Sequence, residues 1–257
     1  MKKRIRIVFT TLTVMLSVLF VAACAEVVAT ETSGTVLGGG QVGVVLPGDP
    51  GPLPDLPDKP EPLGRTFEGC PPEGEGGDPD FNFLKNRQDD GAYYPVQFGE
   101  ILTLPWPEDI ERRDRVNWLP EDTAQVAVYE GIPVAVEGYI VGARESGPES
   151  TNCGLEDSAH VDWHVWLAGL PTDDRDVSIV TETTPRVRAN HPAWTLDLMR
   201  EIGSQEIRVR ISGWLFMDPE HPDQVGKTRG TIWEIHPIMM IEVEQFGEWV
   251  NVDSLGQ

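Results

Sequence analysis

The sequence predicts a mainly β protein: a five-stranded barrel with one helix between strands three and four, preceded by an irregular N-terminal extension. Three observations carry that prediction. Apolar residues alternate with period two in five separate stretches, a single stretch of helical period falls between the third and the fourth, and glycines interrupt strands where a small barrel must bend.

The periodic part begins near Gln125, where Val126 and Val128, then Ile132, Val134, Val136, Gly138 and Ile140 read as a strand pair or one long bent strand. Asp162 to Leu167 and Val177 to Thr183 follow as the second and third strands, across the turn signal at Pro171 to Asp174. From His191 to Ile202 the pattern turns helical. Pro192 suits a first turn, Trp194, Leu198 and Ile202 share a face, and Gly203 reads as the stop. Ile207 to Leu215 and Thr231 to Glu244 complete the five. Upstream, residues 65–124 carry scattered aromatics and read as an irregular extension packed on the barrel, with one short helix from Asp80 to Arg87 capped by Asp80.

This element order, with the phrases Val136-Glu137-Gly138-Tyr139-Ile140 and Val209-Arg210-Ile211-Ser212-Gly213-Trp214-Leu215, resembles the OB fold over about half the chain (residues 125–257). An immunoglobulin-like sandwich competes, but does not predict the single helix. The strings GWLFMDPEH and RGTIWEIHPI are also similar to a group of uncharacterised bacterial secreted proteins, a resemblance that brings no activity with it.

The chain begins with a secretory pattern. Lys2, Lys3, Arg4 and Arg6 precede a 17-residue apolar run from Ile7 to Ala23, short for a membrane span and followed by Ala25 and Glu26, not by a basic flank. Val21-Ala22-Ala23-Cys24 resembles the lipobox of bacterial lipoprotein signal peptides. The resemblance implies that residues 1–23 are removed and that Cys24 is lipidated, which places the protein outside the cytoplasm on a bacterial membrane. Two or three acyl chains hold well, because each buried methylene contributes about 0.8 kcal/mol. Residues 24–64 then read as a disordered tether: the 40 residues from Ala25 contain 7 Pro and 8 Gly. As flexible coil they span roughly 35 Å. Val42 to Leu46 is a minor candidate for an edge strand added to the body.

Charge excludes one class of function. The full chain carries −22, and loss of residues 1–23 leaves 16 basic against 42 acidic side chains. Such a body repels phosphate backbones, so nucleic-acid binding is disfavoured. With Cys24 taken by lipid, Cys70 and Cys153 remain in an oxidising compartment and pairing them is the simplest outcome. A loop of that length stabilises by about 4.5 kcal/mol in the chain-entropy account.

The residues that could carry chemistry lie in the barrel. Strand alternation puts His160, Asp162 and His164 on one face, and Glu234 and His236 on one face of the last strand; Asp218, His221 and Glu182 could complete a cluster. On that reading His160, Asp162, His164, Asp218, His221 and His236 are alternative ligands of a divalent metal, with Glu182 or Glu234 as base in a metal-dependent hydrolase such as a phosphoesterase. The plainer reading is a His–carboxylate network satisfying a half-buried sheet, with no cofactor. Tyr139, Arg208, Arg210 and Trp214 are candidate ligand-binding residues, Arg186, Arg188 and Arg229 could extend the same wall, and paired outward arginines are the simpler account. No serine elbow, P-loop or dinucleotide fingerprint is present. The leading expectation is a membrane-anchored binding or adaptor lipoprotein that holds an envelope protein, a glycan or a small ligand without catalysis; the alternative is the metal-dependent hydrolase.

Overall fold

The computed structural model describes residues 57–107, 110 and 115–255. Residues 1–23, read as a signal sequence, Cys24 and the Val42 to Leu46 segment lie outside these residues. Five strands close a barrel: β2 (Pro133–Glu145), β3 (Trp163–Ala168), β4 (Ile179–Thr183), β5 (Arg208–Met217) and β6 (Trp233–Gln245). β2 pairs antiparallel with β3 and with β5, β3 with β4 and β5 with β6, while β4 and β6 run parallel and shut the ring. That parallel closure gives the fold its OB-like topology and removes the free edges of the five strands. Two further strands stand outside it: β1 (Tyr94–Val96), parallel to β2, and β7 (Glu248–Asn251), antiparallel to β6.

Alternation dictates which side chains fill the barrel. Val134, Val136, Val165, Leu167, Ile179, Val209, Ile211, Ile235 and Ile241 are fully buried in one cluster, and their neighbours in sequence point outward. Gly213 sits at a register shift between β5 and β6, where a Cβ would lie 2.3 Å from Pro237 O. At Gly138 the chain passes so close to β3 that a Cβ would meet Ala168 O at 2.5 Å.

Three helical readings need correction. Val126 and Val128 belong to α3 (Pro120–Tyr129), not to a strand: Pro120 sits at its first turn with Glu121 and Asp122, and only Val126 is buried. The short upstream helix is α1 (Pro79–Lys85), and its cap is Asp78, whose carboxylate accepts from Asp80 N and Phe81 N. α2 (Phe98–Leu102) follows β1. Between β4 and β5 lie α4 (Pro185–Arg188) and the expected barrel helix α5 (Leu196–Ser204). α5 starts later than Pro192 because Thr195 caps it by accepting from Leu198 N. Gly203 lies within its last turn instead of stopping it. A Cβ there would sit 2.4 Å from Ile140 O, so the glycine lets the helix lie directly on β2.

The extension covers the outer face of β4, β5 and β6. Phe81 of α1 packs on Phe216 of β5 at 5.0 Å, and the Arg87 guanidinium lies 3.5 Å over Trp214. Cys70 and Cys153 form a disulfide that ties the extension to the β2–β3 loop. Asn82 and Asn86 bind that junction together: Asn86 Nδ2 donates to Pro72 O and Thr151 O, and Asn82 Oδ1 accepts from Thr151 Oγ1. Residues 57–64, read as the end of the tether, run along the body, with Leu63 O accepting from Gln88 N at 2.6 Å. Among the described residues no helix is long and apolar enough to cross a membrane.

Candidate functional site

Under the extension, the outward residues of β3, β4 and β6 form a polar layer. Pairing of β3 with β4 sets His164 opposite Glu182, and the parallel register of β4 on β6 brings Glu234 and His236 beside them. His164 Nε2 lies 2.6 Å from Glu182 Oε1. The β5–β6 loop folds over this face, anchored where Trp166 Nε1 donates to Thr228 O at 3.0 Å and Gly230 N to Ser178 O at 2.6 Å. It delivers Arg229, whose guanidinium bridges Glu234 Oε1 at 2.7 Å and Asp218 Oδ2 at 2.9 Å. Asp218 also holds His221 Nδ1 at 2.7 Å. From α1, Lys85 reaches Glu149 at 2.6 Å. An open cleft of about 420 Å³ is lined by His164, Glu182, Asp218, His221, Arg229 and Glu234 among others.

Electrostatics follows from this packing. Burial pushes the Glu182 carboxyl up, but the charges of His164, His236 and Lys85 and the hydrogen bond from His164 outweigh it and hold the group well below the usual carboxylate range. Burial likewise opposes ionisation of Asp218, and the His221 hydrogen bond with the Arg229 charge reverses the balance, lowering it. Glu234 goes the other way: burial, with Asp218 and Glu182 nearby, raises it against the pull of Arg229. His221 is raised, chiefly by its hydrogen bond to Asp218. Burial lowers His236 and Lys85 lowers it further, yet the surrounding carboxylates carry it to about 9.

Some expected residues converge here and others do not. Asp162, His164, Glu182, Asp218, His221, Glu234 and His236 all belong to the layer, and Asp162, Glu182 and His236 bring one ligand atom each within 4.8 Å of one another, as do Asp218, Glu220 and His221. His160 does not share their face. The chain turns between Asp157 and Asp162 before β3 begins, and the His160 ring nitrogens engage Asp157 at 2.7 Å and Glu68 at 2.8 Å near the surface. His191 stands apart too, 2.6 Å from Asp253.

The arginines do not line one wall. Arg186 and Arg188 are buried donors to backbone carbonyls, of Cys70 and Pro71 for the first and of Thr183 and Val161 for the second. Arg208 and Arg210 lie on the outer face of β5, paired with Glu137 and Glu242 across neighbouring strands. There, a groove of about 620 Å³ runs between β1, β2 and β5, lined by Tyr93, Phe98, Glu137, Tyr139, Arg208 and Arg210 among others. Ser212, also in its lining, is fully buried and its hydroxyl has no partner within the protein. Trp214, expected to offer a stacking face, is 1% exposed beneath Arg87 and presents none.

Lys85, Glu149 and Asn152 were missed as members of the layer. Lys85 ends the short helix α1 and Glu149 and Asn152 lie in the β2–β3 connection, and nothing in the sequence aimed these segments at the barrel face. No protein-family model matches the chain, and no curated protein matches it.

Proposed function

We propose that this protein is an extracytoplasmic binding protein, held to a bacterial membrane by lipid on Cys24, and that it takes a neutral, polyhydroxylated ligand such as a glycan in the groove between β1, β2 and β5. The groove is the observation that carries the reading. Rings of Tyr93, Phe98 and Tyr139 stand beside hydrogen-bonding groups whose charges cancel pairwise, Arg208 with Glu137 and Arg210 with Glu242. Such a surface favours a ligand with apolar ring faces and many hydroxyls over an anion. The buried Ser212 hydroxyl adds a group that a ligand oxygen would satisfy.

Titration calorimetry of the full chain in detergent with soluble envelope-glycan fragments tests the ligand. Binding is expected, and Tyr139→Ala should weaken it roughly tenfold, the scale of one lost aromatic contact. No binding, or binding indifferent to Tyr139, sinks the ligand assignment. The anchor is tested separately: Cys24→Ala should move the protein from the membrane to the soluble fraction, and a variant that stays on the membrane removes the lipoprotein reading.

A second reading, a metal-dependent hydrolase, is favoured by one specific observation. His221, held through Nδ1 by the buried Asp218, lines the same open cleft as Glu182 and Glu234. A histidine oriented by a carboxylate beside further carboxylates is a proton-transfer arrangement.

A further inference from the structure

Beneath the floor of the polar cleft, His236 has no exposed surface, and neither ring nitrogen has a hydrogen-bond partner within the protein. Carboxylates surround it at a uniform spacing: Nε2 lies 3.5 Å from Asp162 Oδ2, and Nδ1 lies 3.5 Å from Glu182 Oε2 and 3.6 Å from Glu234 Oε2. Charge-assisted hydrogen bonds run about 2.7–2.9 Å, so these contacts are too long to be such bonds. One ring nitrogen of His236, one oxygen of Asp162 and one of Glu182 lie within 4.8 Å of one another, close enough to close on one cation, whose ligand atoms stand roughly 3.4 Å apart at bond lengths of about 2.0–2.1 Å.

The neighbours of these carboxylates fit the same picture. Asn152 Nδ2 donates to Asp162 Oδ1 at 2.8 Å, His164 Nε2 holds Glu182 Oε1 at 2.6 Å, and Arg229 holds Glu234 Oε1 at 2.7 Å. In each carboxylate one oxygen is engaged from outside and the other faces His236; the inward oxygens of Asp162 and Glu182 have no hydrogen-bond partner within the protein. Outer groups that orient ligands in this way are a regular part of metal sites. Charge points the same way. The cluster buries three carboxylates around the single imidazole of His236, while Lys85 is engaged by Glu149 and Arg229 is divided between Glu234 and Asp218. Excess buried negative charge is costly unless compensated.

We infer that Asp162, Glu182 and one ring nitrogen of His236 bind one divalent cation, and that the ion reaches them through the open cleft that Glu182 and Glu234 line. Mixed carboxylate and imidazole donors suit Zn²⁺ or Mn²⁺. This site is independent of the groove ligand.

The test is metal analysis of the full chain, purified in detergent without chelator and dialysed, together with titration of the chelator-stripped protein with Zn²⁺ and with Mn²⁺. The expected result is about one ion per chain, a melting temperature that EDTA lowers and the ion restores, and at least tenfold weaker binding in Glu182→Gln. His164→Gln, which removes the orienting bond to Glu182, should weaken binding by roughly 10–100-fold while leaving the fold intact. A chain that carries no ion and whose melting ignores both metals overturns the inference. So does Glu182→Gln binding as tightly as the parent. A ¹⁵N imidazole spectrum showing His236 protonated on both nitrogens in the presence of excess metal overturns it too, since an imidazolium would then be what compensates the carboxylates.

Discussion

The two sides of the barrel wall are held by different physics. Inside, Val165, Ile211, Ile235 and their neighbours pack an apolar core whose cohesion needs shape and no particular partner. Outside, on β4, β6 and the turn after β5, Glu182, Glu234 and Asp218 are buried too, each dependent on named partners. The extension makes the second layer buried, since without α1 and the disulfide-tied loop that face would meet water. The contrast teaches that an apolar layer tolerates loss of volume, whereas a charged one fails when a single partner is removed.

The largest expected effect breaks the charged layer at its most shared cation. Arg229→Leu leaves Asp218 and Glu234 buried with one partner fewer each, and should cost about 3–5 kcal/mol in chemical denaturation. A loss under about 1 kcal/mol would mean the layer is solvated and the contrast false. Next comes the apolar side. Ile211→Val removes one methylene from a fully buried position, and should cost about 0.5–1.5 kcal/mol without changing the dependence on pH. A pH-dependent cost there would show that the two layers are coupled.

The smallest effect lies at the rim of the charged layer. The His221 value is raised in the folded protein, so its pairing with Asp218 contributes fully below the unfolded value near 6.5 and is lost as pH rises through the folded value. The melting-temperature gap between the parent and His221→Asn should therefore narrow from pH 6 to pH 9. A constant gap would show that the histidine is neutral throughout and linked to Asp218 by a hydrogen bond alone.

Much of the barrel was legible in the chain because its signal is local. Alternation in Val134-Ala135-Val136 or Val209-Arg210-Ile211 reports an inward and an outward side regardless of what lies across. The same logic misread Val126 and Val128, where two valines with one residue between them imitate a strand and Pro120 with its acidic first turn decides for a helix. Of the polar layer, the types of residue were legible and their meeting was not. His164 finds Glu182 through antiparallel register, but Glu234 and His236 join them only through the parallel pairing that closes the ring. His160, two positions from Asp162, misses the cluster because its backbone is still turning.

Sequence by itself determined the order of the five barrel strands and their helix, the acidic character and the pairing expected of Cys70 and Cys153, because each depends on neighbours along the chain or on composition. Tertiary structure alone decided that Lys85, Glu149, Arg229 and His236, spread over more than 150 positions, would share one buried layer. Barrel closure and the cover laid over it bring such distant groups together, and neither leaves a periodic trace in the chain.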